Sequence, residues 1–144
     1  MSCNEGKSSC GSSCVIAAIV GLVFGALIGI LFAFDLIPNI VVSVWIAFGL
    51  GVLALVMLFA AALTSSVVMC GTLGRCLRKN AVCLLVGIIG TIVFTVILLS
   101  IVINPILLSA QVLVAIAAFF FVFMLSALVA FILCLINENR YNEG

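Results

Sequence analysis

Histidine is absent from this 144-residue chain, and charge is scarce: four acidic and five basic residues, 6% of the total. The missing histidine excludes Ser-His-Asp and Cys-His catalysis, His-ligated zinc and imidazole proton shuttles. The scarcity of charge excludes an ordinary water-soluble domain, in which about a quarter of residues are charged. Five basic residues make too little positive surface to track phosphates, so no nucleic-acid partner is expected. There is no Cys-x2-Cys pair, no Asn-x-Ser/Thr sequon and no glycine-rich phosphate loop; Gly71-Thr-Leu-Gly74 is too short to count. Enzyme chemistry finds no foothold, and no cofactor is expected.

What is present is apolar surface, 68% of the residues, gathered into four uncharged runs. They span about 15–34, 40–63, 81–103 and 106–136. About 20 apolar residues at helical rise cross the roughly 30 Å of a bilayer's hydrocarbon core. The fourth run is longer than needed, so it tilts or begins later, near Ser109 or Gln111. The fold class expected is all-α integral membrane, a four-transmembrane-helix bundle of two helical hairpins. Asp35-Leu36-Ile37-Pro38-Asn39 and Asn104-Pro105 supply the turns. Residues 1–14 read as a Ser/Gly/Cys-rich tail, 15–136 as the membrane domain with a loop at 64–80, and 137–144 as a polar tail. Lys7 precedes the first run, but no small-x-small cleavage site follows it, so an uncleaved span is expected. Ser2 likewise breaks the N-myristoylation pattern. Trp45 and Tyr141 fall where interfacial aromatics are expected.

Four spans put both termini on one side, together with all five basic residues: Lys7, Arg75, Arg78, Lys79 and Arg140. The positive-inside rule makes that side cytoplasmic, in a plasma or bacterial inner membrane. Arg75, Arg78 and Lys79 thus serve first as the topology determinant, and as an anionic-headgroup contact in the alternative. The halves share a span–turn–span order with Pro and Asn in each turn. A duplication would make them parallel repeats.

Within the first run Ala17, Gly21, Gly25, Gly29 and Ala33 recur every fourth residue, and so share one helix face. Small residues let helix backbones approach closely in lipid. Ser43, Ala47 and Gly51 form a gentler stripe in the second run; Cys83, Gly87, Thr91 and Thr95 form one in the third. Ala17, Gly21, Gly25, Gly29, Ala33, Gly51 and Gly87 are therefore expected at helix contacts. Packing inside the bundle is the first reading, a homo-oligomer seam the second and a pore the third.

Seven cysteines occur, all near the basic side: Cys3, Cys10, Cys14, Cys70, Cys76, Cys83 and Cys134. A reducing cytosol makes free thiols the default. Cys10, Cys14, Cys70 and Cys76 are the candidates for a soft-metal thiolate site, without a ligand spacing to support it. S-acylation of Cys14, Cys70 or Cys76 and redox sensing are further readings. In the reverse orientation, disulfides between the tail and the middle segment lead instead. No acidic or basic residue lies within a run, which argues against proton-coupled transport and voltage sensing. Ser43, Thr91, Thr95, Ser100, Ser109, Gln111 and Ser126 are the polar residues there, expected mainly to bond backbone carbonyls or neighbouring helices. Phe119, Phe120, Phe121 and Phe123 are expected to pack and to meet lipid.

The span count resembles that of the tetraspan families, but their defining residues have no counterpart. The Cys-Cys-Gly outer loop of tetraspanins, the long cysteine-paired outer loop of claudins and the embedded glutamate of small multidrug transporters are all missing. No family follows. The function expected is that of a non-enzymatic accessory or structural membrane protein. It acts through contacts with the bilayer, with a second copy or with another membrane protein. An oligomeric pore or carrier for a small or neutral solute, and a thiol protein handling a soft metal or redox state, are the alternatives.

Overall fold

The computed structural model describes residues 12–67, 72–101 and 108–143, with side chains at 14–63, 80–101, 108–134, 136 and 137. These residues form four helices: α1 (Ser12–Ala33), α2 (Ile40–Val67), α3 (Thr72–Ser100) and α4 (Leu108–Glu143). Each holds a stretch long and apolar enough to cross a membrane. The expected Asn104-Pro105 turn lies outside the described residues.

All four helices outrun their predicted spans at one end, α1 by three residues and α2 by four, α3 and α4 the most. Residues 72–80, expected within a connecting loop, are the first turns of α3, and α4 continues from its span through 143. The physical reason is the same in both places. Leu, Arg, Lys and Asn all tolerate a helix, and no proline interrupts either stretch. Where the apolar run ends, the helix carries on beyond it.

The α1–α2 turn is built from polar residues that accept a left-handed backbone. α1 ends in a Schellman arrangement: Leu36 N–H donates to the Leu31 carbonyl at 3.1 Å and Asp35 N–H to that of Phe32 at 3.0 Å. Asp35 occupies the left-handed position, with φ of 54°, and Asn39 takes a second one at 57° before α2 begins. Asp and Asn visit this region more readily than bulkier residues.

Packing does not follow chain order. α4 packs against both α1 and α3, and α2 packs mainly against α3. The expected hairpin of the first two spans is therefore a connection rather than a packed pair. α1 and α2 meet near their turn, where Phe32, Val44, Leu98, Ala110, Val114 and Ala117 form a core contributed by all four helices. Farther along, Ala54 of α2 packs with Leu84 and Ile88 of α3 and with Met124 and Ala127 of α4. At the opposite end Ala17, Cys83 and Phe123 join α1, α3 and α4. Only 11% of the α2 span is buried, against 39% of the α3 span, so α3 is central and α2 peripheral.

The start of α1, the start of the α3 span and the later part of α4 share one end of the bundle. The α1–α2 turn lies at the other.

Candidate functional site

Three local arrangements carry the chemistry that this fold offers. The first is the seam of α4. Gly21, Gly25 and Gly29 are buried against it. A Cβ on Gly25 would stand 3.0 Å from the Ala115 carbonyl and from the Phe119 backbone; one on Gly29 would stand 2.7 Å from the Cβ of Ala115. On the other flank of α4, Gly87 faces the Met124 backbone and the Phe123 ring, and the Phe120 ring fills the space that a Cβ on Gly90 would need. Glycine hollows on α1 and α3 thus receive phenylalanines from α4. Phe119 stacks on Phe123 with centroids 5.9 Å apart, and Phe120 on Phe94 of α3 at 5.3 Å. Such pairs add about 0.5–1.5 kcal/mol beyond the area they bury.

Most of the expected packing residues belong to this scheme. Ala17 is buried in the α1–α3–α4 cluster, and Gly51 of α2 faces Ile92 and Thr91 of α3. Ala33 does not belong: it is exposed, because α1 is in its last turn there and the chain is leaving the bundle. Gly90 escaped the four-residue spacing because it lies three residues beyond Gly87. Its signal is Phe120, one residue after the Phe119 that serves α1.

The buried hydroxyls form the second arrangement. Thr91 and Thr95 are 0% and 1% exposed. Thr91 Oγ1 donates to the Gly87 carbonyl and Thr95 Oγ1 to the Thr91 carbonyl, each at 2.7 Å. Ser100 and Ser126 bond carbonyls one turn back in the same manner. These hydroxyls are satisfied within their own helices, as expected for polar residues in an apolar setting. Among the described residues no buried side-chain nitrogen or oxygen lacks a partner. Near the turn end, a cavity of about 250 Å³ separates α2 from α1 and α4, with Ser43 and Thr95 as its polar lining residues.

The cysteines make the third. Cys14 of α1 and Cys83 of α3 form a disulfide with Cα atoms 6.0 Å apart, inside the usual 4.4–6.8 Å range. Cys134 is disulfide-bonded as well. The free-thiol default is therefore corrected at all three cysteines whose side chains are described. The reason is tertiary: Ala17 and Phe123 seat the α1 start beside the α3 start, a juxtaposition that residues 69 apart do not announce. Cys14, held in this disulfide, is not a thiolate ligand. The side chains of Cys10, Cys70, Cys76, Arg75, Arg78 and Lys79 lie outside those described. Among the described residues no group of three or more Cys, Asp or Glu is placed to hold a metal ion.

Four helices of spanning length and apolarity, with hydroxyls satisfied internally, define the class: a multi-pass helical membrane protein. No family model matches the chain, and no curated protein or solved structure matches it either.

Proposed function

We propose that this is a non-enzymatic membrane protein that works through contacts between its spans and those of a second copy or another membrane protein. The observation that carries the reading is the position of α2. It packs mainly on α3, with Val44 and Ala54 reaching α4, and leaves Trp45, Ile46, Leu53, Val56 and Phe59 uncovered. Gly49 lies on this helix with nothing within 4 Å of where its Cβ would be, an open place for another backbone. A photocrosslinking residue at Gly49 should capture a protein of defined mass in native membranes. The same residue at Leu22, exposed on α1, should capture much less. Lipid adducts alone at both positions would overturn the reading.

We propose further that both termini face the cytoplasm of a plasma or bacterial inner membrane, since all five basic residues belong to that side. A second reading, that of a redox-sensing thiol protein, is favoured by the Cys14–Cys83 disulfide. It stands at the end where α3 begins, and the first turns of α3 carry Arg75, Arg78 and Lys79. Disulfides in a reducing compartment are typically transient and redox-responsive. Maleimide labelling after rapid acid quenching of cells tests this. Labelling of Cys14 and Cys83 should rise when the cell is reduced and fall when it is oxidised. Protection that never varies would assign the pair a purely structural role in an oxidising compartment.

A further inference from the structure

The cavity beside α2 has a depth, a mouth and a lining that together specify what fills it. Ile37 in the turn marks one end, and Ala47 of α2 and Phe121 of α4 the other. From Ile40 to Ala47 the α2 axis rises about 10 Å, so the cavity lies within one leaflet of a hydrocarbon core roughly 30 Å thick. α1 and α2 part beside it after meeting near their turn. The void is about 250 Å³, far more than the gaps that a close-packed interior leaves.

Water is a poor occupant. A buried water needs two to four polar partners. Among the described residues Ser43 and Thr95 are the only polar ones in the lining, and the Thr95 hydroxyl already bonds the carbonyls of Thr91 and Ile92, at 2.7 and 3.0 Å. A charged or strongly polar ligand would be stripped of hydration and given nothing in return. The remaining lining is aliphatic or aromatic, with small residues (Ala47, Ala117 and Ala118) leaving the width.

We propose that this cavity is a binding site for one hydrocarbon chain of a bilayer lipid, lying lengthwise between α2 and the α1–α4 pair. The lipid's headgroup stays at the interface, near the Asp35–Asn39 turn. Its chain enters sideways from the leaflet rather than from water. The site is independent of any protein partner on the outer face of α2, because its lining belongs to the inner one: Val44 is buried, whereas Trp45 and Ile46 are exposed.

The test uses the whole protein in phosphatidylcholine vesicles doped with a phosphatidylcholine that carries a diazirine midway along one acyl chain. After irradiation, adducts are mapped by mass spectrometry. They should concentrate on Val44, Ala47, Val114 and Ala117 over the outward positions Ile46 and Leu53. Ala47→Phe should abolish that enrichment while labelling of the outward positions persists. Should Ala47→Phe not fold, Ser43→Leu at the exposed edge of the lining serves in its place. Moving the diazirine to the chain terminus should shift the adducts from Val44 towards Phe121. Even labelling around the bundle, or enrichment that survives the filled cavity, would overturn the proposal. So would protein–protein adducts in place of lipid from a photocrosslinker at Ala47, which would give the cavity to another helix.

Discussion

Alanine at Gly29 and alanine at Gly49 should have opposite effects, although both glycines lie in apolar helices. At Gly29 the new methyl meets the Cβ of Ala115 at 2.7 Å, and neither partner is the yielding end of a flexible side chain. Overpacking of this kind costs about 1–3 kcal/mol. At Gly49 nothing lies within 4 Å, so the helix gains alanine's higher propensity, up to about 1 kcal/mol. Thermal unfolding in one detergent should place G29A below the unmodified protein and G49A level with it or above. Equal shifts would mean that α1 does not sit on α4 as described. Sequence spacing marked Gly21, Gly25 and Gly29 as a contact face, but not what they contact. The match with Phe119 and Phe123 depends on the height and rotation of α4 relative to α1.

The α1–α2 connection shows how an element ends when glycine is not used. Asp35 carries the left-handed conformation that closes the Schellman arrangement. Asp35→Val should therefore cost about 1–2 kcal/mol, because a branched Cβ is crowded there. Asp35→Gly should be neutral or slightly stabilising. Circular dichroism during heating distinguishes the pair, and equal behaviour would remove the turn from the account. Local chemistry made this turn legible, since Pro38-Asn39 and Asp35 are turn residues in any context. The extended ends of α3 and α4 were less so. Apolar patterning reports where lipid stops, whereas the helix stops where its backbone bonding does.

At the scale of the molecule, the Cys14–Cys83 disulfide ties α1 to α3, two helices not packed on each other along their length. For a random chain, closing a loop of this separation is worth about 4 kcal/mol. In a bilayer separated spans remain helical, so that figure is an upper limit. Reduction should lower the thermal midpoint, and Cys14→Ser or Cys83→Ser should do so once, with no further loss in the double variant. Additive losses would show that each cysteine contributes separately. The shared end of these residues also sets two orientation cues against each other. The basic cluster calls for a reducing side, and the disulfide for an oxidising one, unless it is made and broken in service.

Four spans, their turn chemistry, the confinement of basic residues to the tails and the middle segment, and the small-residue faces are properties of the sequence by itself. Each depends on composition or on residues within a few positions of one another, and lipid as the solvent demands little more. Which helix fills each face, the exposure of Ala33, the pairing of Cys14 with Cys83 and the cavity beside α2 were decided only by the tertiary structure. The reason is geometric. In a uniformly apolar chain every helix face suits every other in chemistry, so shape chooses the neighbours. Here α4's phenylalanines fit the glycine hollows on both flanks, which draws α1 to α4 and leaves α2 on the outside.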